Sequence, residues 1–177
     1  MPPSDFLLLA EPLAIALVDT EGVHRGRAFD LLAGEAQLIR WLELQSARIG
    51  PRATTPARYH VLALRSSLRR VFTAVADGTA PPEDDVLVVN DAVTSGGYDV
   101  LAWDTTLGAV AVRHGETALG RIAVSAVRVL TCADPGPLRR CANPRCVLFF
   151  AATNPRRRFC TPACSLRVRV ARHAARR

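Results

Sequence analysis

Four cysteines near the C-terminus are spaced for chemistry. Cys141 and Cys146 form one close pair and Cys160 and Cys164 another, with thirteen residues between the pairs. A tetrahedral zinc ion needs four thiolate or imidazole donors, and two short turns that each supply two thiolates meet that need from two local loops. Four merely reduced structural thiols would explain the number but not the paired spacing. A centre of four thiolates leaves no coordination position for water, so one Zn2+ held here is structural rather than catalytic. The fifth cysteine, Cys132, falls late in an apolar stretch and is expected to be a small buried hydrophobe. An odd cysteine count with four clustered argues against a secreted disulfide scaffold and for a reducing, cytoplasmic setting.

Charge converges on the same stretch. Eleven of the 23 basic residues lie from Arg139 onward, whereas all 16 acidic residues lie at or before Asp134. The earlier part therefore carries twelve basic against sixteen acidic residues, and the last 43 residues carry eleven against none. A surface that only has to be soluble usually mixes signs, so this segregation points to an anionic partner. Every basic residue is arginine, which reads mainly as the coding bias of a GC-rich genome, although its two-pronged guanidinium also suits phosphate better than lysine would. The candidates for nucleic-acid contact are Arg156, Arg157 and Arg158 in a turn, and Arg167, Arg169, Arg172, Arg176 and Arg177 along the terminal helix.

The elements that would position these residues can be read around them. Asn143-Pro144 makes a tight turn between Cys141 and Cys146. Val147 to Ala151 reads as a strand, Asn154-Pro155 as a turn, and Arg157 to Phe159 as the returning strand. Thr161 is placed as the N-cap of the last helix, with Pro162 at its first position. Thiolates at that helix start meet the positive end of its dipole. On the helix, Cys164, Val168, Ala171 and Ala175 share a face that can close over the metal, while Arg169, Arg172 and Arg176 share another. Arg167 returns toward the metal side. Knuckle, hairpin and ligand-bearing helix in that order resemble a treble-clef zinc finger.

Before the finger, the chain reads as a mixed α+β body. Residues 13–18 (LAIALV) predict a buried strand, and the segment from Gly22 to Gly26 a loop. Asp30 is placed as the N-cap of a helix with Leu38, Trp41 and Leu42 on its apolar stripe, stopped at Gly50-Pro51. A second helix begins at Thr54-Thr55-Pro56, with Tyr59, Leu64, Leu68, Phe72 and Val75 on its apolar face. A third opens at Pro81-Pro82-Glu83 and ends near Gly96-Gly97. Tyr98 to Asp104 and Ala109 to Arg113 predict a β-hairpin turned at Thr105–Gly108, and Ala118 to about Thr131 a last helix. Trp41 and Trp103 are both expected in the core. Asp134-Pro135-Gly136-Pro137 is the clearest linker, so the predicted division is 1–134 and 135–177.

The finger resembles a known family. Cys-Ala-Asn-Pro-x-Cys, a hairpin ending in aromatic-Cys, a further Cys and an arginine-rich helix are similar to the CGNR-type zinc finger. That finger stands at the C-terminus of bacterial proteins described as stress-induced transcription regulators, which carry an N-terminal ABATE domain. The body is similar too: LAIALVDT at Leu13–Thr20 sits where the family has a strand ending in Asn-Thr, and Trp41 lies in the helix that follows. The resemblance implies Cys141, Cys146, Cys160 and Cys164 as zinc ligands and Arg167 as the family arginine. Two departures stand out: Ser165-Leu166 replaces the Gly-Asn of the signature, and Asp19 replaces the usual asparagine.

Other chemistry lacks support. His24, His60 and His114 stand without partner ligands, Glu83, Asp84 and Asp85 read as helix-start acids, and no phosphate loop, nucleophile elbow or dinucleotide fingerprint occurs. The chain is not expected to be an enzyme. The N-terminus has no basic leader and no run reaches the ~20 apolar residues of a membrane span, so a soluble, cytoplasmic protein, nucleoid-associated if it binds DNA, is expected. The leading reading is a zinc-dependent regulator binding double-stranded DNA through its basic finger, with the body as sensor or assembly domain. The alternative is a zinc-stabilised module that docks on an acidic protein or structured RNA.

Overall fold

A short helix, α1 (Leu13–Val18), sits at the centre of the molecule. The computed structural model describes residues 11–24, 27–50, 53–131 and 136–175. Five of the six α1 side chains are buried, which a strand would also allow, so the apolar run LAIALV does not by itself distinguish the two forms. The expected strand at 13–18 is thus a helix. It starts behind Pro12, whose fixed φ suits a helix entry, and ends at Val18, after which the Thr20 hydroxyl donates to the Leu17 carbonyl at 2.6 Å.

The expected loop after α1 is a hairpin, β1 (Glu21–His24) paired antiparallel with β2 (Arg27–Asp30). Asp30 does not cap a helix. Its Oδ1 accepts from the Leu32 amide at 2.8 Å, and both its oxygens take the guanidinium of the buried Arg65. The helix α2 (Glu35–Leu44) begins later, behind Gly34, and a single turn α3 (Ser46–Ile49) follows. Leu38 and Trp41 are buried as expected.

The longest helix, α4 (Arg58–Ala76), starts behind Ala57 rather than at Thr54-Thr55-Pro56. Thr54 instead forms a parallel bridge with Thr117. Val61, Leu64, Leu68, Val71 and Phe72 point into the core, while Tyr59, expected among them, is 67% exposed. Helices α5 (Glu83–Thr94) and α6 (Ala118–Leu130) flank the hairpin of β3 (Tyr98–Asp104) and β4 (Gly108–His114), close to the expected positions. Trp103 was expected in the core and is 78% exposed, because the register puts it on a hairpin that no other strand among the described residues joins.

Helices α1, α4, α5 and α6 pack together, and Ile15, Leu17, Leu64, Leu68, Phe72, Ile122 and Ala126 fill the space between them. The core does not stop at the finger. Leu138, Phe149 and Ala151 belong to it, with the Phe149 ring edge-on to Phe72 at 5.7 Å. Of the linker, Asp134 and Pro135 lie outside the described residues, as does Cys132. No helix among the described residues is long and apolar enough to cross a membrane.

Candidate metal centre

The finger is built on a two-stranded sheet whose partners differ from those expected. Strand β6 (Phe149–Ala151) pairs with β5 (Leu138–Arg140), which precedes the first cysteine. Arg157–Phe159, expected to return as a strand, is not one. It approaches the first knuckle instead, where the Ala142 amide donates to the Arg158 carbonyl at 2.8 Å. The strand alternates sides: Phe149 and Ala151 face the body, while Leu148, Phe150 and Ala152 pack with the cysteines in a second small core. Two short turns shape the cysteine loops, and both use asparagine. Asn143 Oδ1 accepts from the Arg145 amide at 3.0 Å, and Asn154 Oδ1 from the Arg156 amide at 2.8 Å.

Helix α7 (Pro162–Ala174) brings in the last ligand. Thr161 caps it as expected, its hydroxyl accepting from the Cys164 amide at 3.3 Å, with Pro162 in the first turn. Cys164 therefore presents its sulfur at the positive end of the helix dipole.

The four sulfurs of Cys141, Cys146, Cys160 and Cys164 lie within 4.8 Å of one another. Cys146 to Cys160 and Cys160 to Cys164 are each 3.7 Å. Zinc–sulfur bonds of about 2.3 Å place ligands about 3.8 Å apart at the corners of a tetrahedron, whereas a disulfide needs about 2.05 Å. The donor set therefore fits one structural zinc ion. Electrostatics agree. Hydrogen bonds from Cys146 and Cys160 hold the Cys141 thiol well below its usual range, while contact with Cys141 pushes Cys146 and Cys160 up, so the four do not all ionise by themselves. Four ionised sulfurs in this space require a divalent cation among them.

Arg157 lies beneath this centre and is turned inward. Its guanidinium donates to the carbonyl oxygens of Cys160 at 2.8 Å, Ala151 at 3.1 Å and Phe159 at 3.3 Å, ion-pairs with Glu11, and stacks 4.5 Å from the centre of the Phe150 ring. Glu11 also accepts from the Ala151 amide at 2.8 Å, and Asp19 from the Phe149 amide at 3.1 Å. Both side chains are buried and come from the ends of α1. They fasten strand β6 to the body. The only local sign of them in the sequence is that Glu11 and Asp19 flank an apolar run.

The other arginines divide by position. Arg156, Arg158, Arg167, Arg169 and Arg172 are exposed, as is Arg145 on the first knuckle, which the sequence reading passed over. Arg139 donates to the Pro155 and Arg157 carbonyls, and Arg140 pairs with Asp77 at 3.2 Å. Arg176 and Arg177 lie outside the described residues. Helix α7 leaves the finger beyond Val168: every described residue from Arg169 is exposed, including Ala171 and Ala175, which were expected to close over the metal. Leu166 and Val170, four residues apart on the outward side, are 54% and 60% exposed.

Comparison with known families follows the same two parts. Residues 138–177 match the model of the CGNR zinc finger. Residues 11–132 match that of ABATE, described as "Putative stress-induced transcription regulator". No curated protein matches the chain. With the larger match covering well over half of its length and the four sulfurs gathered at one point, the chain belongs to the ABATE family and carries a CGNR zinc finger at its C-terminal end.

Proposed function

We propose that this protein is a zinc-dependent transcription regulator that binds double-stranded DNA through its finger, with the helical body serving as sensor or assembly unit. The observation that carries this reading is helix α7. It leaves the cysteine centre with Arg167, Arg169 and Arg172 exposed, and no acidic residue follows Asp134 to neutralise them. Arg156 and Arg158 add two further exposed guanidinium groups on the neighbouring turn. Such groups engage phosphate and set orientation, while sequence is read by contacts to base edges. Leu166 and Val170 lie between Arg167 and Arg169 around the helix and suit apolar contact with thymine methyl groups. Zinc acts here as scaffold, since four sulfurs complete its coordination.

The test is fluorescence anisotropy of the zinc-loaded chain on duplex DNA across a salt series, beside structured RNA and polyglutamate at matched salt. Five to six phosphate contacts predict a slope of log affinity on log salt of about −4 to −6 for duplex DNA, with duplex preferred over the other two. A flat salt response overturns the DNA reading, and tighter binding to RNA or to polyglutamate overturns it in favour of the RNA or protein partner.

A further inference from the structure

The arginines of the finger divide into a paired set and a free set. Strand β6 turns Phe149 and Ala151 to the body and Leu148, Phe150 and Ala152 to the cysteines. Toward the body, Arg140 pairs with Asp77 and Arg157 with Glu11. The elements that carry the cysteines present the other set: Arg145, Arg156, Arg158, Arg167, Arg169 and Arg172 are exposed, and none pairs with an acidic residue among the described residues. Five of these belong to α7 and the turn before it. Arg145 stands apart on the first knuckle, yet its backbone is tied to the same frame. Asn143 is 5% exposed, its side-chain oxygen accepts from the Arg145 amide at 3.0 Å, and its carbonyl accepts from the Cys146 amide at 2.8 Å. The Ala142 amide donates to the Arg158 carbonyl at 2.8 Å, and the Cys146 and Cys160 sulfurs are 3.7 Å apart. The knuckle, the second turn and the start of α7 are therefore joined around the sulfurs.

We infer that Arg145 is a phosphate-contacting residue, which holds the duplex backbone beside the groove that α7 occupies and carries no part of the sequence reading. The inference rests on the DNA reading proposed above and adds to it a residue and a role. A helix with its side chains is about 10–12 Å across and fills a major groove about 12 Å wide. Turns that flank such a helix stand over the groove walls, where the phosphates lie. Contacts to those phosphates fix register and orientation without reading bases. Arg145 directly precedes a ligand, Cys146, so its backbone cannot shift without moving the metal centre, and a turn fixed in advance lowers the ordering cost of the contact. Its chain neighbours Pro144 and Cys146 offer no second group for a base edge, whereas α7 carries Leu166, Arg169 and Val170 on one exposed stretch.

Salt titrations of the full, zinc-loaded chain on two duplexes of unrelated sequence, followed by fluorescence anisotropy, test it. Arg145→Ala should weaken binding to both duplexes alike, about 5- to 10-fold at ~0.1 M salt, and bring the slope of log affinity on log salt about 0.9 closer to zero. Zinc content and melting temperature should stay at the parental values. Arg145→Lys should restore the slope, because one charge at the phosphate displaces the same counterion. Arg40→Ala removes an equal charge from an exposed helix of the body and should change neither slope nor affinity. A parent that binds neither duplex, or binds without salt dependence, fails the DNA reading itself. A parent that binds as expected, beside an Arg145→Ala chain of parental slope and affinity, overturns this inference alone. Equal weakening by Arg40→Ala, a loss confined to one duplex, a slope that Arg145→Lys does not restore, or a drop in the zinc content of Arg145→Ala would overturn it as well.

Discussion

Three consecutive arginines, Arg156, Arg157 and Arg158, have different roles. Arg157 is committed inside the chain to Glu11 and three carbonyl oxygens, and removing it leaves the buried Glu11 carboxylate without its counter-charge. Arg157→Ala is predicted to cost about 2–3 kcal/mol of stability. Arg158→Ala should cost under about 0.5 kcal/mol yet weaken duplex binding, and paired urea melts and anisotropy titrations would separate the two effects. Asp19 gives a second test. Burial pushes its carboxyl well above the usual range, against the pull of the Phe149 amide. The folded chain therefore keeps a proton that the unfolded chain sheds near pH ~4. The stability this carboxyl permits is fullest on the acid side and is lost as pH rises through the folded value. Asp19→Asn keeps an oxygen for the Phe149 amide and removes the charge, so urea melts at fixed zinc should show a shallower loss between mildly acid and neutral pH than in the parent. At this scale the cysteines were legible, because their pairing is local. The Glu11–Arg157 pair was not, since its partners are 146 residues apart and one member lies in a run that looks uniformly solvent-facing.

At the scale of elements, helices with one apolar stripe and clear breakers were readable: α5, α6 and α7 fall close to where periodicity, proline and glycine place them. The failures share one physical cause, the removal of pattern by complete burial or complete exposure. Helix α1 is buried nearly all round, so six apolar residues show no period. The finger's sheet was mispaired because Leu138–Arg140, a three-residue strand with an arginine pair, has little of the pattern of a core strand. Hairpin β3–β4 was located correctly, but Trp103 was assigned inward on its type alone. One packing feature gives a prediction here. A Cβ on Gly120 of α6 would lie 2.1 Å from the Gly96 backbone, so α6 and the end of α5 meet this closely because position 120 is glycine. Gly120→Ala should lower stability by about 1–3 kcal/mol or more, measured by thermal melting, and an unchanged melting temperature would refute this close crossing.

In the whole molecule, the metal centre is fastened to the body and does not hang from a tether. Phe149 shares the body's core, Asp19 and Glu11 hold strand β6, and Arg157 links a ligand's carbonyl to Glu11. Structural zinc contributes its binding energy to folding. Chelation is therefore predicted to lower the melting temperature of the body as well as that of the finger, in one transition followed by helical circular dichroism. Two separate transitions, with the first alone sensitive to chelator, would show the parts to be independent. Charge adds the other molecular feature, an acidic front segment joined to an end with eleven arginines and no acid, which the sequence alone displayed in full. The first of these features depends on the four sulfurs holding a metal. Elemental analysis of the purified chain beside its Cys160→Ser variant tests that directly: one zinc per chain in the parent and its loss in the variant is the predicted result, and a folded parent with no stoichiometric zinc would contradict it.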